Sequence, residues 1–182
     1  MNPRTHDGDA RQEAEDTMMT CDSGTADTPM MNADGTPHPW MTPIKAMDRA
    51  IAEGNVTAAV RAWRQAYLLA VNDMGWDGLL DVAGACRRIG AIPGFAKTSE
   101  DRARETYWLA LFRARRQGSL EGVLQSAEAF GALGDRAMVE QCIRVAERLA
   151  ALNTDGDAPA RVRALATNLM NRYVAAGVRR EA

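Results

Sequence analysis

The sequence predicts an all-α fold, and three observations carry that expectation. Residues 120–149, LEGVLQSAEAFGALGDRAMVEQCIRVAERL, hold two runs of apolar residues at helical spacing: Val123, Ala127, Phe130 and Leu133, then Val139, Ile143, Ala146 and Leu149. Between them stand Gly134, suited to the left-handed backbone that ends a helix, and Asp135, suited to capping the next. Finally, one small–large–small spacing recurs three times: Ala59-x3-Trp63-x2-Ala66, Ala103-x3-Tyr107-x2-Ala110 and Val139-x3-Ile143-x2-Ala146.

Order is expected to begin after an acidic N-terminal segment. Residues 1–40 hold eight acids (Asp7, Asp9, Glu13, Glu15, Asp16, Asp22, Asp27, Asp34) against Arg4 and Arg11. They carry almost no branched aliphatics, so they are expected to stay disordered, with a helical domain over 41–182. His6 and His38 fall in this segment without metal-ligand spacing and read as incidental.

The helices follow in turn. Thr42-Pro43 predicts a start, with Ile44, Met47 and Ile51 as the first stripe and Gly54-Asn55 as its stop. A second helix is expected over Val56–Asp73, ended by Gly75, and a third over Trp76–Ile89 with Leu79, Val82, Ala83 and Cys86 inward. Pro93 and Gly94 make Gly90–Lys97 a loop, with Ile92 and Phe95 tucked inward. Thr98 or Ser99 is expected to cap the fourth helix. Glu100, Asp101 and Glu105 then lie near its start and Arg113, Arg115 and Arg116 at its end, as the helix dipole favours. Beyond the hairpin, Asp157 caps a last helix over Ala158–Ala176, closed by Gly177.

The preceding helices repeat as well: Leu79, Ala83, Cys86, Ile89 and Gly90 align with Val123, Ala127, Phe130, Leu133 and Gly134. With these residues in place, the chain resembles the tetratricopeptide repeat (TPR) family over about Thr42–Leu152. It departs from that pattern at Met47, where a small residue is expected, in the insertion after Gly90 and in lacking the repeat-ending prolines. The resemblance implies a right-handed α-solenoid of about three antiparallel helix pairs plus a C-terminal capping helix. It also implies a concave groove lined by the first helix of each pair, which takes a peptide or a partner's helix. The positions facing it would be Ile44, Asp48 and Ile51, then Asp77, Leu80, Arg87 and Arg88, then Glu121, Leu124 and Glu128.

Enzyme and cofactor motifs are not expected. The sequence has no glycine-rich phosphate loop, no Ser/His/Asp set and no cysteine pair at metal spacing. Asp77 and Asp81 read as a solvated helix start rather than a metal or catalytic pair. Cys86 and Cys142 sit on apolar stripes as reduced core residues. Trp63 belongs to the core stripe. No apolar run resembles a signal peptide or a membrane span, so a cytoplasmic protein is expected.

The leading expectation is therefore a protein–protein interaction module (adaptor, chaperone or regulatory subunit) whose partner is a protein or peptide, with self-association left open. The competing reading is a helical nucleic-acid-binding regulator using Arg87, Arg88, Arg113, Arg115 and Arg116, although residues 41–182 are only mildly basic. The acidic segment is read first as a solubilising tail, with the alternative that it transiently occupies the groove by reaching Arg87 and Arg88. Gly122, inside a helix, is expected to tolerate a side chain better than Gly134 does, and Phe130 to face Ile143 across the hairpin.

Overall fold

The computed structural model describes residues 36–178. Most of the acidic segment, with His6 and Cys21, lies outside the described residues. Seven helices follow one another: α1 (Met41–Ala52), α2 (Val56–Asn72), α3 (Asp77–Ile89), α4 (Ala96–Arg116), α5 (Leu120–Ala132), α6 (Arg136–Leu152) and α7 (Ala158–Val178). Among the described residues there is no strand, so the all-α expectation holds. No helix among them is long and apolar enough to cross a membrane.

The helices pack in chain order, most extensively as α1 on α2, α3 on α4 and α5 on α6. Each helix also touches the next across the pair boundary, down to α6 on α7. The recurring small–large–small stripe explains the close approach. Ala59, Ala66, Ala103, Ala110, Val139 and Ala146 are wholly buried, and Trp63 and Tyr107 fill the spaces between them. Trp63 donates its indole N–H to the Val82 carbonyl at 2.8 Å, which ties α2 to α3. Phe130, also fully buried, meets the rings of Tyr107 and Trp108 edge-on at 5.9 and 6.1 Å between centroids. Its aromatic partners are thus on α4, while Ile143 is only half-buried and Cys142 takes the deep position on α6.

Three turns share one construction. Gly134 has φ +75°, and behind it the Asp135 N–H reaches the Phe130 carbonyl at 3.0 Å. The Asp135 carboxylate then accepts the Met138 N–H, which caps α6. Gly54-Asn55 after α1 and Gly118-Ser119 after α4 repeat this arrangement, with Asn55 and Ser119 as side-chain caps.

Several expected boundaries move. Trp40, not Thr42, occupies the position before α1, and Pro43 sits in the first turn, where a missing N–H costs nothing. Ala96 begins α4 two or three residues ahead of Thr98 and Ser99. No acid therefore lies in its first turn, and Ser99 is buried within the helix. Gly75 does not end α2, which stops at Asn72, and Gly177 lies within α7.

Three glycines instead accept large side chains from other elements. A Cβ on Gly78 would stand 2.8 Å from the Trp40 ring, on Gly122 2.6 Å from Trp76, and on Gly131 2.8 Å from Leu169. Gly122 is therefore a close-packing point between α5, Trp76 and Ala114.

Candidate functional site

The stack presents two different faces. Odd-numbered helices form a continuous row, because α1 touches α3, α3 touches α5 and α5 touches α7, while no even-numbered pair comes into comparable contact.

The row of odd helices carries the ten positions that the repeat resemblance picked out, and it ties most of their charges to one another. Arg88 forms a two-pronged pair with Asp48, 2.8 and 3.0 Å, joining α3 to α1. Arg87 donates to the Ala132 carbonyl at 3.1 Å, joining α3 to α5. Arg161 pairs with Glu121, joining α7 to α5. Asp77 faces His38 at 3.8 Å. Ile44 and Leu124 are buried in the core and do not line any open surface, and Ile51 and Leu80 are half-buried against it. Glu128 is exposed. A crevice of about 170 Å³ remains between Arg87, Ala132, Leu133, Glu100 and Ala96.

His38 and Trp40 are part of the folded body. Trp40 is among the most buried side chains, stacks on His38 at 4.4 Å and donates its indole N–H to Asp81 at 2.8 Å. Burial raises the Asp81 carboxyl above the ordinary carboxylate value, against the lowering effect of the Trp40 hydrogen bond. Asp77 and Asp81 are therefore the receptors of the chain's entry into the stack and do not form a solvated helix start.

Arg113 is likewise not a surface cation. Its guanidinium is buried and donates to the carbonyls of Val71 (2.8 Å), Gly75 (3.0 Å), Ala70 (3.4 Å) and Asp73. Those oxygens are the unsatisfied end of α2 and the turn after it. Gln117 adds a bond to the Met74 carbonyl at 2.8 Å. With Arg87 and Arg88 also engaged, only Arg115 and Arg116 of the five arginines expected to grip phosphate have no partner among the described residues.

The even face is different in kind. Every exposed large apolar side chain among the described residues lies on α2, on the turn after it, on α4 or at the end of α6: Leu68, Met74, Trp108, Phe112 and Leu152. Phe112 is 60% exposed and Leu68 62%. All five sit toward the C-terminal ends of even helices. On the same side, Arg115, Arg144 and Arg148 line a crevice of about 240 Å³ with Gln141 and Val145, and none of the three has an acid partner among the described residues. Sequence reasoning missed this cluster. Its available signal was the one-turn spacing of Arg144 and Arg148 and of Trp108 and Phe112, on the flank of each helix opposite its packing stripe.

Cys86 and Cys142 are free, buried thiols, pushed up to about 11 and about 12 by burial. Compared with models of known protein families, the sequence matches none, and it matches no curated protein.

Proposed function

We propose that this protein is a TPR-like interaction scaffold, a right-handed stack of three helix pairs closed by α7, which binds another protein. The pairing of helices and the matching Gly-cap turns within the first and third pairs, at Gly54 and Gly134, support the repeat reading. The closer approach of odd helices supports a stack that curves with those helices inside.

One observation carries the functional reading: the large exposed apolar side chains among the described residues gather on the even helices and the turn after α2. Water-exposed Phe112, Leu68 and Trp108 are suited to anchoring an apolar segment of a partner. A second reading keeps the ligand on the odd face, at the crevice beside Arg87. The test is selection of peptides on the immobilised full chain, with the selected peptide mapped by amide shifts. Shifts at Leu68, Trp108 and Phe112 support the even face. Shifts at Leu80, Arg87 and Glu128 favour the second reading, and failure to select any peptide argues against a peptide-binding scaffold.

A further inference from the structure

We propose that the crevice between α4 and α6 is the docking site of the chain's own acidic N-terminal segment, residues 1–35. The inference does not depend on which partner the scaffold binds.

The crevice is built for anions. Arg115 comes from α4, and Arg144 and Arg148 come from successive turns of α6. The Gln141 amide and the Val145 side chain complete the lining. Several other arginines do find acids, as Arg88 with Asp48, Arg104 with Glu100, Arg136 with Glu140 and Arg161 with Glu121, and Arg61 and Arg64 line a crevice between α2 and Phe95 with no acid partner among the described residues. Three guanidiniums converging without one leave uncompensated positive potential at a concave point. Carboxylates suit guanidiniums through paired, charge-assisted hydrogen bonds.

The same chain supplies the complement. Residues 1–35 contain eight acids and only Arg4 and Arg11, while the rest of the sequence carries the opposite excess. The segment also joins the fold at the right end. Trp40 lies over Gly78 and His38 faces Asp77, both in the first turn of α3. Arg113, near the end of α4, bonds to the end of α2 and to Gly75. Gly118, just after α4, shares a crevice with Leu149 and Leu152 near the end of α6. The chain's entry and the C-terminal ends of α2, α4 and α6 therefore lie along one edge of the stack, where Arg115 and Arg148 stand.

Length permits the contact. Five helix-to-helix steps of ~10 Å separate α1 from α6, roughly 50 Å at most. Asp16 stands 20 residues before Thr36, and that length of chain spans up to roughly 66 Å. Glu13, Glu15 and Asp16 thus reach the crevice, and tethering makes the encounter intramolecular. Arg87 and Arg88, the sequence-based target for this segment, are already engaged by Ala132 and Asp48.

The experiment uses the full chain with a nitroxide on Cys21, placed by a thiol reagent at neutral pH. Cys86 and Cys142 are buried and stay protonated there, and mass spectrometry verifies a single label. The expected result is selective loss of amide signal around Arg115 and Gln141–Arg148. The loss should disappear on reducing the nitroxide, in high salt and in Arg144→Glu/Arg148→Glu. These two side chains are exposed and make no hydrogen bond or ion pair among the described residues, so the double variant should keep the wild-type melting temperature. A mixture of labelled and separately isotope-enriched chains should show no loss, because the contact is within one chain. Loss centred on Arg87 and Arg88, loss spread evenly, or loss unchanged by the double variant would overturn the proposal.

Discussion

Gly122 lies against the indole of Trp76: a Cβ on this glycine would stand 2.6 Å from the ring and 2.7 Å from the Ala114 Cβ. The contact locks the start of α5 onto the residue before α3 and the end of α4. It also reverses the order of sensitivity expected from sequence, because Gly134 has open space beside it and is constrained only by its φ of +75°. Gly122→Val should lower stability by about 3 kcal/mol, as overpacking against ring and backbone-borne methyl does. Gly134→Val should cost about 1–2 kcal/mol, the penalty of a left-handed backbone. Urea denaturation of the two variants measures the difference, and a larger loss at Gly134 would contradict the packing described.

Phe130 and Ile143 separate in the same way. Phe130 is fully buried among Tyr107, Trp108 and the α5 core, so Phe130→Ala should cost about 3–5 kcal/mol. Ile143 is half-buried, and Ile143→Ala should cost about 1–2 kcal/mol, in proportion to the apolar area it removes from water. Equal losses in denaturant titrations would place both side chains at the same depth.

Arg113 acts as the cap of α2. Arg113→Lys retains the charge but has no planar fork to serve four carbonyls, so it should cost about 1.5–3 kcal/mol. Hydrogen exchange should speed up at the end of α2, from Ala70 to Gly75, while α6 is unaffected. Full rescue by lysine would show that charge alone matters there.

Asp81 gives the fold a pH dependence of definite sign. Its folded-state carboxyl titrates above the ordinary value of 3.8, chiefly because burial disfavours the charged form. As pH falls from neutral through that raised value, the folded state takes up the proton before the unfolded state does. Wild-type stability should therefore rise relative to Asp81→Asn, levelling off below the unfolded value. Asparagine keeps an acceptor for the Trp40 N–H and does not titrate. Parallel stability curves for the two proteins between neutral and acid pH would contradict the assignment.

The helices, the hairpin turn and the buried small–large–small stripe were legible because they follow from local rules: periodicity, Gly-cap chemistry and the pairing of small with large residues. Trp63, Tyr107, Val139 and Asp135 stand where those rules put them. What was not legible depends on which distant element arrives at a given side chain. Arg113 looks like a solvated helix-end charge until the end of α2 is brought to it, and Gly122 looks like a tolerant helix position until Trp76 covers it. Trp40 and His38 follow a polar, acidic segment and lack any helical pattern, yet they close over α3. The pairing of charges along the expected groove was not legible for the same reason. Asp48 and Arg88 are 40 residues apart, and no sequence pattern announces their pairing.

The most direct test of the account is the affinity of a selected peptide for surface variants of the full chain. Leu68→Asp and Phe112→Asp change exposed side chains on α2 and α4, so both should melt like the wild type. Each should weaken binding at least about tenfold, a change of ~1.4 kcal/mol, while Glu128→Lys on α5 leaves affinity unaltered. Unchanged affinity in both even-face variants, with loss in Glu128→Lys, would contradict the even face as the partner-binding surface.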